Sequence, residues 1–166
     1  MRWLEIINED VGLSLLYHGT SPNSAIKIIR DNCIAANVNH TMYSGEPGVS
    51  LSRSFKVAHH FGDIIFALDK TKLAYNKKIK PVDYWGLSLE PEMIGSGRRQ
   101  GKFAEQEEFV IGSIKPLDRY LVRIDISGRK YNYLKGMMNY DREMHAWMTE
   151  ILDHPLLHVN GVPLKS

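Results

Sequence analysis

The stretch Leu13-Ser14-Leu15-Leu16-Tyr17-His18-Gly19-Thr20 decides the fold, because a short apolar run stands directly before a histidine, a glycine and a hydroxyl residue. A compact run of this kind is typical of a buried strand. Ser21-Pro22 follows with the chemistry of a helix start. The stretch therefore predicts a central strand that delivers His18, Gly19 and Thr20 to a turn.

Apolar patterns further along the chain add more strands and helices to this one. Strands are predicted at 48–52, 64–68, 108–112 and 120–126, and helices at 21–32, 55–61 and 141–152. This order indicates an α+β fold with an antiparallel or mixed sheet and flanking helices. We expect one domain over residues 1–166, with a core at about 13–126 and a helical C-terminal extension at about 127–166.

Composition excludes several classes of protein. With 166 residues, 43% hydrophobic and 24% charged, the chain fits one soluble domain, and its formal charge of +2 does not by itself indicate nucleic acid or membrane binding. The one cysteine excludes an intrachain disulfide. No signal peptide or membrane span is visible, so we expect a cytoplasmic protein without a membrane partner. The histidines lack ligand spacing, so we expect no metal.

Two polar residues stand on the strand predicted at 48–52, in Gly48-Val49-Ser50-Leu51-Ser52. Side chains alternate along a strand, so Ser50 and Ser52 share one face. Two hydroxyl groups beside a glycine suit a ligand that is rich in hydroxyls and phosphates. A solvent-facing strand surface explains the same pattern equally well.

A third polar segment, Ala104-Glu105-Gln106-Glu107-Glu108, precedes an apolar strand. If the strand register extends backwards, Gln106 and Glu108 share one face, with Glu105 and Glu107 on the other. A solvated acidic turn is the ordinary explanation for such a run. Glu108 fits that explanation least, because it stands directly against the strand.

Together these three segments resemble the ADP-ribosyltransferase superfamily. Tyr17-His18-Gly19-Thr20 is similar to the histidine motif of its poly(ADP-ribose) polymerase and diphtheria-toxin branch, and Gln106-Glu107-Glu108 is similar to its Q-x-E motif. Gly48-Val49-Ser50-Leu51-Ser52 is similar to both branches, with Ser50 where a tyrosine is common. The resemblance covers roughly residues 13–126 and implies an ADP-ribosyltransferase-like domain with a split sheet.

The resemblance also implies an activity. It indicates a mono-ADP-ribosyltransferase that uses NAD+ as co-substrate, releases nicotinamide and modifies a macromolecular acceptor, with protein favoured over nucleic acid. Small toxins, phage-encoded modifiers of host proteins and bacterial regulators have compact domains of this kind, so the setting would be a host cytoplasm if the protein is phage-encoded. The alternatives are an NAD+ glycohydrolase, an RNA 2′-phosphotransferase of the same fold, or a catalytically degenerate binding module.

Residue roles follow from the same resemblance. Glu108 would be catalytic, with His18 and Ser50 completing the site. NAD+ would be bound by His18, Gly19, Thr20, Ser50, Ser52 and Phe61, with Phe61 stacking on nicotinamide. Acceptor recognition would involve Gln106 and, on the glycine-containing segment before it, Arg98 and Arg99.

Overall fold

The computed structural model describes residues 14–37, 46–81, 107–138 and 142–164. All three predicted acceptor-recognition residues, Arg98, Arg99 and Gln106, lie outside these ranges. The other predicted site residues lie within them.

Among the described residues, the strands form a single mixed sheet. They are β1 (Leu15–Thr20), β2 (Gly48–Ser52), β3 (Ile64–Asp69), β4 (Ile79–Pro81), β5 (Glu107–Ile111), β6 (Leu121–Ile126), β7 (Leu157–Val159) and β8 (Val162–Pro163). Their order in the sheet is β4-β5-β2-β1-β3-β6-β7-β8. All neighbours are antiparallel except β6 and β7, which run parallel. The predicted α+β fold with a mixed sheet is confirmed.

The sheet is weakly joined between β1 and β2. β1 pairs with β3 along its whole length, from Leu15 opposite Asp69 to Thr20 opposite Ile64. Its pairing with β2 consists of one register pair, Tyr17 with Ser52. β2 in turn pairs with β5 over all five of its residues. Two well-paired parts, β4-β5-β2 and β1-β3-β6-β7-β8, therefore meet at a sparse junction.

Helices connect the strands and begin where the sequence offers capping groups. They are α1 (Pro22–Arg30), α2 (Phe55–Ala58), α3 (Lys70–Asn76), α4 (Gly128–Met137) and α5 (Arg142–Leu152), with a 3-10 turn at Leu117–Arg119. The side chains of Ser21, Ser54, Asp69 and Ser127 accept hydrogen bonds from the first turns of α1 to α4. None of these helices, within the described ranges, is long and apolar enough to cross a membrane.

The two faces of the sheet carry cores of unequal size. The larger core joins strand residues such as Leu16, Phe66 and Ile124 to apolar residues of α1 and α5. On the other face, Phe55 and Ala58 of α2 pack with Ile65, and Tyr17 packs against them. β1 thus lies between two packed layers, which fixes the strand that carries His18.

The C-terminal segment is more than the helical extension that the sequence predicts. Besides α4 and α5, it supplies β7 and β8, which continue the sheet beyond β6. Leu157 of β7 pairs with Ile124 of β6 and is fully buried. This segment therefore closes one side of the fold.

Candidate functional site

His18 stands in β1 and reaches across the sparse junction. Its Nδ1 lies 3.3 Å from the Ser50 carbonyl oxygen. A carbonyl can only accept, so Nδ1 carries the proton and Nε2 of the neutral ring is an acceptor. Burial lowers the pKa of His18, although the bond to the Ser50 carbonyl opposes this shift. A neutral imidazole suits His18 for binding a hydroxyl group rather than an anion.

Gly19 is required by the packing of α2. A Cβ atom at this position would overlap the carbonyl oxygen of Ala58, and it would approach the Ala58 carbonyl carbon to 2.7 Å. The sequence alone suggests that this glycine lets a ligand approach the backbone. The structure gives it a second reason, since the last residue of α2 occupies the space of a side chain.

Replacing Gly19 by alanine is expected to destabilise the fold by about 1–3 kcal/mol, because the added methyl group must displace backbone rather than a flexible side chain. Urea denaturation of the variant measures this loss. Gly136→Ala is the matched control, since a Cβ atom at Gly136 meets nothing within 4 Å. An unchanged free energy of unfolding in Gly19→Ala would contradict the packing role.

Phe61 is held beside the His-Gly-Thr segment, although about 40 residues separate them in sequence. The Phe61 backbone N–H donates to the Ala58 carbonyl at 3.0 Å, the same carbonyl that covers Gly19. The next residue, Gly62, packs against the Thr20 backbone so closely that a Cβ atom would overlap it. The Phe61 side chain is 66% exposed. An exposed aromatic ring is therefore fixed next to the end of β1.

Ser50 and Ser52 have different surroundings. Ser50 offers its carbonyl to His18, and its hydroxyl has no hydrogen-bond partner among the described residues. Ser52 is buried, and its Oγ accepts the Ser54 backbone N–H at 3.0 Å, which shapes the turn into α2. Ser50 is thus the serine with a hydroxyl available for a ligand, while Ser52 has a local structural role.

Strand register shows which site residues share a face. Ser50 pairs with Phe109, and Leu51 pairs with Glu108. Because paired residues share a face and side chains alternate, Ser50 and Glu108 lie on opposite faces of the β2–β5 ladder. The junction pair of Tyr17 with Ser52 puts His18 on the face of Leu51 and Glu108. The site therefore brings His18 and Glu108 to one face, and Ser50 to the other.

Glu108 is a buried carboxylate held by two cations. It is 4% exposed. Its Oε1 accepts a hydrogen bond from Lys70 Nζ at 2.8 Å, and Arg53 Nε lies 3.7 Å from the same oxygen. The side chains of Lys70 and Arg53 are 33% and 43% exposed, so solvent reaches this charge cluster from their side.

Sequence reasoning missed Lys70 and Arg53. In the structure Lys70 is the first residue of α3, where the helix dipole disfavours a positive charge, but the sequence does not predict this helix. The stabilising partner of this lysine lies outside its own helix and is Glu108. Arg53 follows β2 in a serine-containing turn and carries no sequence signal either.

Comparison with protein-family models, with curated proteins and with solved structures finds no match for this chain. In the described part of the chain, no three or more histidine, cysteine, aspartate or glutamate side chains are grouped so that they could hold a metal ion. The functional assignment therefore depends on the site residues and on the resemblance of their motifs.

Proposed function

We propose that this chain is an NAD+-dependent mono-ADP-ribosyltransferase. One observation carries the proposal: the three motif strands β1, β2 and β5 are far apart in sequence but are consecutive neighbours in the sheet. The motifs that resemble those of the ADP-ribosyltransferase superfamily therefore meet in space. The sparse β1–β2 junction also agrees with the split sheet that the resemblance implies.

The spacing of His18 and Glu108 suits one extended ligand. They share a face, with Leu51 of β2 between them. Two strand spacings of about 4.8 Å separate their Cα atoms by roughly 10 Å, too far for a direct contact. His18 Nε2 would accept a hydrogen bond from a hydroxyl group of the adenosine-side ribose. Glu108 would accept one from the 2′-hydroxyl of the nicotinamide-side ribose.

The proposed reaction needs a buried anion. The bond between ribose C1′ and the nicotinamide nitrogen breaks, and its electron pair leaves with nicotinamide as a neutral group. Positive charge develops on the ribose, as in glycoside hydrolysis, and Glu108 stabilises it through the 2′-hydroxyl. The acceptor then forms a bond to C1′ and loses its proton. Burial strengthens this effect, because less water screens the carboxylate.

The remaining residues would hold the nicotinamide half and the acceptor. The Gly19 backbone would contact the carboxamide, and Phe61 would stack on the ring. A role for the Ser50 hydroxyl stays a prediction, since this side chain lies on the opposite face of the β2–β5 ladder from Glu108. Gln106, Arg98 and Arg99 stay predictions for acceptor recognition. We keep protein as the favoured acceptor, with nucleic acid as the second choice.

Replacing Phe61 by alanine is expected to raise the KM for NAD+ by about 2- to 10-fold, the scale of one aromatic contact worth about 0.5–1.5 kcal/mol. Stability should hardly change, because the side chain is mostly exposed. Steady-state kinetics and thermal melting measure the two effects. Tyr75→Ala is the control, since Tyr75 on α3 is 89% exposed and has no proposed ligand contact. Equal KM values in both variants would show that Phe61 does not contribute to NAD+ binding.

The proposed function is tested by incubating the protein with NAD+ labelled in its ADP-ribose part and with a cell lysate. Label on protein supports the proposal, and label on nucleic acid supports a transferase with the other acceptor. Free labelled ADP-ribose alone would indicate a glycohydrolase. No consumption of NAD+ would overturn the proposal, and a parallel assay with 2′-phosphorylated RNA then separates the phosphotransferase from a binding module.

A further inference from the structure

We infer that Lys70 is a positioning residue for Glu108 in the proposed transfer reaction. The inference depends on the proposed function and adds a residue that the motif resemblance does not contain. Lys70 would act through the carboxylate and would not touch the substrate itself.

The hydrogen bond between the two side chains is selective for one oxygen. Lys70 Nζ lies 2.8 Å from Oε1 of Glu108, and the more distant Arg53 approaches the same atom. Oε2 has no partner among the described residues. Lys70 therefore fixes the orientation of the carboxylate through one oxygen and leaves the other for a ribose hydroxyl.

The location of Lys70 gives this bond a second effect. Lys70 directly follows β3, and its backbone N–H donates to the Ser14 carbonyl at 2.9 Å, just before β1. Glu108 belongs to β5, on the other side of the sparse β1–β2 junction. The ion pair therefore connects the part of the sheet that carries His18 to the part that carries Glu108. It adds to two links between β1 and β2, which are the Tyr17–Ser52 register pair and the contact of His18 Nδ1 with the Ser50 carbonyl.

Arg53 cannot provide the same connection. It follows β2, which is in the same part of the sheet as Glu108. Its Nε lies 3.7 Å from Oε1, which is too long for a hydrogen bond. Of the two cations beside Glu108, Lys70 is thus the one that belongs to the part of the sheet that carries His18.

The test compares three variants of the full chain: Lys70→Met, Lys70→Arg and Lys72→Met. Nicotinamide release is followed at varied NAD+ concentration. Lys70→Met is expected to lower kcat by about 10- to 100-fold, the scale of a misplaced reacting group, with the KM for NAD+ changed less than about threefold. Lys70→Arg restores a large part of kcat, because arginine can donate to the same oxygen.

Lys72→Met is the matched control, since Lys72 lies on the same helix, its side chain is 60% exposed, and its Nζ lies 3.8 Å from Asp69 Oδ2. Its kcat should equal that of the wild type. Thermal melting shows which variants are folded, and a purely structural role would lower the melting temperature without changing the kcat of the folded protein.

The outcomes separate this inference from the proposed function. An active wild type with unchanged kcat in Lys70→Met rejects the positioning role and leaves the proposed function standing. A raised KM with unchanged kcat also rejects it, because Lys70 would then bind NAD+ directly. A wild type that releases no nicotinamide rejects both.

Discussion

Glutamine in place of Glu108 is expected to lower ADP-ribose transfer by about 10²-fold or more, while NAD+ still binds. Glutamine keeps the shape of the side chain, and its carbonyl can still accept the Lys70 hydrogen bond. It lacks the negative charge that would stabilise the developing ribose cation. Single-turnover nicotinamide release measures the rate, and calorimetric titration with NAD+ measures binding.

The control for this variant is Glu107→Gln. Glu107 is the adjacent residue of β5 and pairs with Ser52, whereas Glu108 pairs with Leu51. Its removal changes the net charge by the same amount and should leave transfer within a few-fold of wild type. Equal losses in the two variants would show that overall charge, and not the position of Glu108, determines the rate.

Replacing Arg123 by methionine is expected to reduce the free energy of unfolding by about 3–5 kcal/mol at neutral pH, the cost of breaking a buried ion pair. Arg123 Nε donates to Asp125 Oδ2 at 2.8 Å, and the two side chains are 7% and 0% exposed. Burial raises the pKa of Asp125, and Arg123 is the main group that opposes this shift. Without Arg123, the buried Asp125 carboxylate would lose the positive charge that most offsets the cost of its burial.

The sign of the pH dependence follows from that pKa. An acid whose folded-state pKa is raised stabilises the fold below its unfolded pKa of about 3.9 and loses this contribution as the pH rises through the folded value. The free energy of unfolding of the Arg123→Met variant should therefore lie furthest below that of wild type at neutral pH. The difference should become smaller in acid. Urea denaturation at several pH values measures this trend.

Two further variants make the stability prediction specific. Arg123→Met combined with Asp125→Leu should recover much of the lost stability, since an apolar pair can replace a buried ion pair. Arg30→Met should have little effect, although Arg30 makes hydrogen bonds of 2.6–2.8 Å to Glu150, because that pair is exposed. If the Arg123 and Arg30 variants lost equal stability, burial would not be the cause.

The elements with strong local patterns could be predicted from sequence. β1 and β3 have continuous apolar runs, and α1 and α5 have helical apolar periodicity. α3 and β7 lack such patterns, because Leu73 is the one buried residue of α3 and β7 has only three residues. Their formation depends on contacts with the rest of the fold, which no local pattern encodes.

The candidate site was predictable only as separate motifs. His18, Ser50 and Glu108 each stand out as polar residues on or beside apolar strands. The opposite faces of Ser50 and Glu108 follow from the β2–β5 register, which joins segments more than 50 residues apart. The Lys70–Glu108 pair likewise arises from tertiary structure, and the sequence contains no fixed spacing that would reveal it.

Among the described residues, β4 and β8 are the outermost strands of the sheet, which bears on how the sheet can pair with another chain. An edge strand exposes unpaired N–H and C=O groups, which can recruit a strand from another chain and start aggregation. β4 has three residues and ends in Pro81, and β8 has two and ends in Pro163. Proline donates no backbone hydrogen bond, and a strand of two or three residues has few backbone N–H and C=O groups with which another strand could pair. In the described part of the chain, both margins of the sheet therefore offer little backbone for edge-to-edge association.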